Sequence, residues 1–317
     1  MTRILITGGT GFLGKRLGKK LSEMGHTVVL TGRNNKQNML ATQYSGCESL
    51  AMDVSQIESV RDIVSQTRPE VIIHAAATKF VDISEKQPME TVDINVVGSQ
   101  NIARVSIEKG IKVVLGISTD KASPPVRNIY GMSKAMMERM FCAMDGKTDT
   151  SFLCVRYGNV AWSTGSVLPI WRKMFQEKGV LGTTGPEMYR FFFTVDEAVQ
   201  LVITALQNAA DLKGKVLSRK MKAARIEEIL KVWVKLYGGR YEVIAGRPGE
   251  RLEEYLFGEL ELPYTSETVY EGITHYIISF NQKSAQPPSR ILSSSNTEQL
   301  SPDETAELLK NIPFEEL

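Results

Sequence analysis

The 317-residue sequence predicts an α/β fold: a Rossmann-type doubly wound parallel sheet with a smaller, interleaved C-terminal substrate lobe. Three observations carry that expectation. Short apolar runs alternate with longer amphipathic stretches through the first half, as parallel βαβ units require. The first run, Arg3 to Thr7, passes through Gly8, Gly11 and Gly14 into a helix over Phe12 to Met24. The fifth run, Val113 to Ile117, ends in Ser118-Thr119-Asp120-Lys121, and the helix beyond it carries Tyr130 and Lys134.

The glycine loop stands at a strand-to-helix junction, so its spacing has a physical reading. Glycines there allow a tight turn and close backbone approach to a pyrophosphate, which then faces the N-terminus of a helix. Thr10, Phe12 and Leu13 belong to the same turn and are expected to border the dinucleotide. The second strand, His26 to Leu30, runs into Thr31-Gly32-Arg33-Asn34-Asn35-Lys36. An NAD site usually offers a carboxylate here to the ribose hydroxyls. Arg33, helped by Lys36, can instead pair with a 2′-phosphate. NADP is therefore expected over NAD.

Ser49 to Met52 reads as the third strand, and Asp53-Val54 as a wall for the adenine. A helix follows to Thr67. The fourth strand, Val71 to His74, leads into Ala75-Ala76-Ala77, small residues that let a cofactor pass closely, and then to Lys79 at the crevice. His74 lies in an apolar strand and reads as structural. A helix over Glu90 to Lys109 carries Asn95, whose amide is expected to fix the fifth-strand backbone or a water near the site. Tyr130 and Lys134, four apart, share one helix face. An ammonium beside a phenol favours the phenolate, so the pair suits proton abstraction. Met136, Met137, Met140, Phe141 and Met144 form an apolar stripe for the core or a subunit interface.

The sixth strand, Ser151 to Tyr157, ends at Gly158-Asn159-Val160, where ligands of open α/β sheets bind. Helices are expected over Leu168–Lys178, Val195–Leu206 and Arg225–Tyr237, and strands over Lys215–Leu217 and Tyr241–Ile244. Residues 1–160 form the NADP-binding domain, with 191–217 returning to it. Residues 161–190 and 218–280 form the substrate lobe, and 281–317 a C-terminal arm with one helix over Asp303–Asn311 and no catalytic task.

A formal charge of +2 gives no electrostatic case for nucleic acid or an acidic membrane. The apolar start is too short for membrane insertion. Cys47, Cys142 and Cys154 have no metal-ligand spacing, so no metal is expected, and three unpaired cysteines suit a reduced cytoplasmic setting.

The segments HAAATKF, INVVGSQN, STDK, IYGMSK, VRYGNV, GSVLPIW, MYRFFFT and GRPGERLEEYL, in this order, resemble the soluble UDP-N-acetylglucosamine 4,6-dehydratases, extended short-chain dehydrogenase/reductases of surface-polysaccharide synthesis. The tail, SSSNTEQLSPDETAELL, is similar as well, so the resemblance covers nearly the whole chain. It implies that Thr119, Tyr130 and Lys134 handle the 4-hydroxyl of a nucleotide sugar. Lys121 would then take the carbon-5 proton and Asp120 would protonate the leaving 6-hydroxyl. It further implies substrate contacts from Lys79, Asn159, Arg190, Arg247 and Glu250, a homo-oligomer, and inversion at carbon 5, because the inverting relatives carry Asp-Lys where the retaining glucose-nucleotide enzymes carry Asp-Glu. The family usually has His at the place of Phe80, Pro at that of Asp82 and Arg at that of Thr164, all near the expected sugar. Epimerases and ketoreductases of the same class use Thr119, Tyr130 and Lys134 without needing Asp120-Lys121, and a non-catalytic NADP-binding protein would need none of them.

Overall fold

The computed structural model describes residues 1–246 and 249–312. The alternating runs of the first half are β1 (Arg3–Thr7), β2 (Thr27–Gly32), β3 (Glu48–Ala51), β4 (Val71–His74), β5 (Val113–Ile117) and β6 (Ser151–Val155). They pair in parallel in the order β6-β5-β4-β1-β2-β3. Strand order reverses between β1 and β4, which opens a crevice at their carboxyl ends. The connecting helices are α1 (Phe12–Glu23), α2 (Asn35–Ser45), α3 (Ile57–Thr67), α4 (Val81–Lys86), α5 (Pro88–Thr91), α6 (Gly98–Glu108) and α7 (Ile129–Cys142).

Two departures from the sequence reading lie in this half. The basic segment after β2 leads into α2, which the reading did not anticipate: Asn34 caps it, its Oδ1 accepting from Gln37 N at 3.1 Å. The helix expected over Glu90–Lys109 is interrupted by a π turn at Val92–Val97. Such a turn inserts a residue and re-aims its side chains. Here it turns Asn95 inward.

His74 is fully buried on β4, between Thr7 Oγ1 (2.8 Å from Nδ1) and Ser99 Oγ (3.0 Å from Nε2). Burial, aided by the Lys134 charge, pushes its pKa from 6.5 to about 3. The unfolded chain therefore binds a proton that the folded one refuses as pH falls below 6.5. Stability is expected to fall by about 1.4 kcal/mol per pH unit through that window. Urea unfolding of wild type and His74→Gln at pH 7 and 5 checks this: the slope is expected to be shallower in the variant.

The second half supplies β7 (Asn159–Val160), α8 (Val167–Lys178), β8 (Val180–Thr183), β9 (Tyr189–Phe193), α9 (Val195–Gln207), β10 (Lys215–Arg219), β11 (Ala223–Arg225), α10 (Ile226–Tyr237), β12 (Arg240–Val243), β13 (Tyr255–Phe257), β14 (Thr265–Tyr270), β15 (Ile273–Ser279), β16 (Leu292–Ser293) and α11 (Pro302–Lys310). Strand β10 adds to β6 in parallel, and the hairpin β14–β15 continues the large sheet antiparallel. Residues 265–279 thus extend the first-lobe sheet, although the sequence reading put them with the substrate lobe. Their buried residues, Thr265, His275, Tyr276 and Ile278, complete its edge.

The smaller lobe is built from the β11-β9-β7 and β12-β8 sheets around a second apolar cluster containing Trp162, Trp171 and Trp233. The arm is fastened to both lobes. Strand β16 pairs with β13, Trp162 Nε1 donates to Leu308 O at 2.8 Å, and Lys222 bridges Glu298 (2.7 Å) and Glu304 (2.6 Å). The methionine stripe divides: Met137 and Phe141 enter the core, Met140 and Met144 pack against it, and Met136 is exposed on α7, as is Met132 one turn earlier. Among the described residues no helix is long and apolar enough to cross a membrane.

Candidate active site

The loops at the carboxyl ends of β1, β4, β5 and β6 meet at the crevice. Gly8, with φ +63°, lies against the β4 exit so closely that a Cβ would come 2.7 Å from Ala76 Cα. At Gly14 a Cβ would stand 2.5 Å from Gly9 Cα. Helix α1 begins at Phe12 with no side-chain cap and no acidic residue in its first turn. Its leading N–H groups thus remain for an anion, and the small Ala75–Ala77 exit leaves room beside them. A pyrophosphate fits this cradle.

The remaining expected cofactor residues are distributed around it. Thr10 packs on Gly32, where a Cβ would be 2.4 Å from its Oγ1. The Phe12 ring lies under the Arg16 guanidinium at 3.9 Å. Arg33 and Lys36 are exposed at the start of α2. Asp53 Oδ1 closes a turn by accepting from Ser55 N (2.9 Å) and Ser55 Oγ (2.8 Å), with Val54 buried beside it. Asn95 does not reach β5. Its Oδ1 accepts from Thr78 N (2.8 Å), and its Nδ2 donates to Thr78 O (2.9 Å) and Ser133 Oγ (2.9 Å). It clamps the β4 exit to α7.

The acid–base loop follows β5. Thr119 caps one turn of 3-10 helix, Asp120–Ala122, and Asp120 N donates to Tyr157 O at 2.9 Å. Asp120 is fully buried; its Oδ1 accepts from Thr119 Oγ1 (3.0 Å) and Lys121 Nζ (3.0 Å). Its Oδ2 has no partner among the described residues. Lys121 Nζ also reaches Asn159 Oδ1 at 3.4 Å and Glu254 Oε1 at 3.7 Å. Burial opposes the Lys121 charge, but Asp120 and Glu254 outweigh it and raise the pKa above its ordinary value. Asn159 thus touches the acid–base pair itself.

Helix α7 presents Tyr130 and is capped by Asn128, whose Oδ1 accepts from Gly131 N at 2.7 Å. The helix packs directly on the acid–base loop: a Cβ on Gly131 would be 2.3 Å from Lys121 O. Contrary to the expected phenolate, the Tyr130 pKa is raised: burial, with Asp120 adding, outweighs the Lys121 charge and the Thr119 hydroxyl, which lower it. Lys134 is one turn along, yet its Nζ donates to Met137 Sδ at 3.3 Å, so the cation bearing on the phenol here is Lys121.

Lys134 is 2% exposed, and burial lowers its pKa from 10.5 to about 8. The folded value lies below the unfolded one, so this lysine costs stability in full below pH 8, and the cost fades as pH rises to 10.5. Lys134→Met is expected to raise the unfolding free energy by about 1–3 kcal/mol at neutral pH. Denaturant unfolding, repeated at alkaline pH where the gain should vanish, checks this.

Of the residues expected at the substrate, Arg190 on β9 donates to Tyr189 O (2.7 Å) and Arg251 O (2.9 Å), tethering the 251–252 segment. Glu250 accepts from Thr184 Oγ1 at 2.9 Å. Lys79 Nζ stands 5.5 Å from the centre of the Phe80 ring. That ring lies against Gly165, so the unusual positions 80 and 164 are neighbours. Arg247 lies outside the described residues. Glu254 and Arg251, both 5% exposed or less, were missed. The only signal was the stretch GRPGERLEEYL, in which nothing separates Glu254 from Glu253.

A glycine-cradled crevice with Thr119, Tyr130 and Lys134 beside it, on this sheet, defines an enzyme of the extended short-chain dehydrogenase/reductase type. The chain belongs to the polysaccharide biosynthesis protein family, whose profile matches residues 4–275. The uncharacterized membrane protein MJ1061 of Methanocaldococcus jannaschii is 32% identical over 275 residues, 82% of this chain and 81% of that one. The inverting UDP-N-acetylglucosamine 4,6-dehydratase of Campylobacter jejuni is 30% identical over 283 residues, 87% of this chain and 82% of that one. Among solved structures, Pen from Bacillus thuringiensis is similar over 100% of this chain and 98% of its own, with 27% identity and a TM-score of 0.89. The Thermus thermophilus UDP-glucose 4-epimerase, solved with NAD, shares the fold at 21% identity and a TM-score of 0.69, over 78% of this chain and 88% of that one.

Proposed function

We propose that the protein is an NADP-dependent nucleotide-sugar 4,6-dehydratase. Its substrate on this reading is UDP-N-acetylglucosamine, and its product a UDP-4-keto-6-deoxy-hexosamine inverted at carbon 5, for surface polysaccharide. The observation that carries the reading is the buried Asp120–Lys121 contact beside Thr119 and Tyr130. A 4-epimerase or ketoreductase has work for Thr119, Tyr130 and Lys134 but none for a buried acid–base pair.

Bound in the glycine cradle, NADP would accept hydride from carbon 4 and return it to carbon 6. The exposed Arg33 and Lys36 beside the N-terminus of α2 favour a 2′-phosphate there. Tyr130 takes the proton of the 4-hydroxyl, with Thr119 bonded to the same oxygen. The 4-ketone then acidifies the hydrogen on carbon 5. Moving one proton along the 3.0 Å Lys121–Asp120 bond turns an ion pair into neutral amine and neutral acid, a change that burial favours. The Lys121 amine takes the carbon-5 proton, and the Asp120 acid gives its proton to the departing 6-hydroxyl, which leaves as water. Lys121, now ammonium, can reprotonate carbon 5 and so sets its configuration. Asn159 aligns Lys121; Lys79, Arg190, Arg247 and Glu250 are assigned to the sugar nucleotide.

The reading includes a homo-oligomer paired through α7, where Met132 and Met136 are exposed, and a cytoplasmic setting, in keeping with three free cysteines. Proton NMR of the protein with UDP-N-acetylglucosamine and NADP in deuterated water tests it. A new methyl signal with deuterium at carbon 5 is expected. Its absence, with other nucleotide sugars as well, would move the assignment to an epimerase or reductase.

A further inference from the structure

Glu254 takes no part in the steps above, yet it faces the group on which they turn. It lies just before β13, and the arm holds its backbone: Glu254 N donates to Ser294 Oγ at 3.0 Å, and Ser294 N to Glu254 O at 2.8 Å. The side chain is buried, with Oε1 3.7 Å from Lys121 Nζ. Oε2 has no hydrogen-bond partner among the described residues, and Arg251 Nη1 stands 3.7 Å from it. The charged groups facing Glu254 are Lys121 and Asp120 from the loop after β5, Arg190 from β9, and Arg251 from its own segment. Lys121 therefore sits between two carboxylates, only one of which has a role in dehydration.

We propose that Glu254 is a positioning residue that sets the protonation state of Lys121. Ionised, it holds Lys121 as ammonium; protonated, it releases the amine. The catalytic meaning of this switch rests on the dehydratase reading, whereas the coupling itself does not. Proton transfer from Lys121 to Asp120 leaves their summed charge unchanged, so the field of a third charge decides how far it runs. An anion close to Nζ favours the ion pair over the neutral pair. Burial, with Asp120 adding, raises the Glu254 pKa above the usual carboxylate range against the pull of Lys121, Arg190 and Arg251. Glu254 thus keeps its proton to a higher pH than an exposed glutamate does. Above that pH the proton passes to solvent and Lys121 is locked as ammonium.

Competitive acetylation of Lys121 by acetic anhydride across a pH series, read by mass spectrometry of its peptide, tests the coupling without any sugar. Glu254→Gln is expected to lower the apparent pKa of Lys121 by about one unit, which is about tenfold more label at a fixed pH below it. In turnover, the wild type is expected to lose activity on the alkaline side through a titration that Glu254→Gln lacks. An unchanged Lys121 titration in a Glu254→Gln protein whose thermal midpoint matches wild type overturns the proposal. Should that variant fail to fold, Glu254→Asp draws the charge back by one methylene. A lowered Lys121 titration supports the proposal there, and an unchanged one overturns it. A shifted titration in a protein that dehydrates no nucleotide sugar sustains the coupling and overturns the dehydratase reading instead.

Discussion

Lys121→Ala is expected to lower dehydration turnover by about 10²–10⁴-fold, the usual worth of a general acid–base group. The first hydride transfer should survive but slow, because Thr119 and Tyr130 remain in place while the charge that lowers the Tyr130 pKa is lost. Mixing the variant with nucleotide sugar and NADP should therefore give a rise in reduced-nicotinamide absorbance without a methyl product and without deuterium at carbon 5. A variant that still incorporates deuterium at carbon 5 at the wild-type rate would remove Lys121 from the base role. Asp120→Asn should separate the other half of the pair. Deuterium exchange at carbon 5 should persist, because loss of the Asp120 charge lowers the Lys121 pKa and frees its amine, while loss of water slows.

The second large effect lies behind the site. Arg156, fully buried after β6, donates to Glu138 on α7 (Nη2 to Oε2, 2.5 Å) and to Glu261 (Nη1 to Oε2, 2.8 Å; Nη2 to Oε1, 2.8 Å). It also donates to Leu256 O at 2.8 Å, and Ser123 Oγ donates to Glu261 Oε2 at 2.9 Å. One guanidinium thus joins the tyrosine helix, the end of the acid–base loop and β13. Arg156→Met strands two buried carboxylates and is expected to cost about 3–5 kcal/mol. Adding Glu138→Gln and Glu261→Gln should recover most of that loss, since the cost comes from uncompensated charge and not from the missing bonds alone. Urea unfolding of the single and triple variants decides the matter; equal losses in both would place the cost in packing.

What was legible in the sequence is what is local. The strands β1, β4 and β5, the glycine loop and the Tyr130–Lys134 turn each follow from spacing within a few residues, and they stand where spacing puts them. The π turn escaped because periodicity over Glu90–Lys109 is continuous; only the Thr78 and Ser133 partners of Asn95 show why one extra residue is inserted. Glu254 escaped for a different reason. The chain bends at Leu252–Glu253 just before β13, and beyond the bend Glu253 meets the Tyr255 hydroxyl at 3.0 Å while Glu254 goes inward to Lys121. That choice is made by Ser294, forty positions further on. The Arg156 cluster likewise joins residues 105 apart in the chain. Lys134 shows the limit of spacing even where it succeeds: one turn from Tyr130, it bonds to Met137.

Gly131 leaves the phenol helix and the acid–base loop no clearance, since even a methyl group would strike Lys121 O. For anyone wishing to redirect this catalyst to another sugar, that contact separates what can be altered from what cannot. The floor of the crevice is close-packed, so displacing Tyr130 presses on the loop that carries Asp120 and Lys121. The wall formed where Phe80 rests on Gly165 lies outside that contact, so variation there leaves it intact. Libraries aimed at new substrates should therefore be drawn from that wall and leave residues 118–134 untouched.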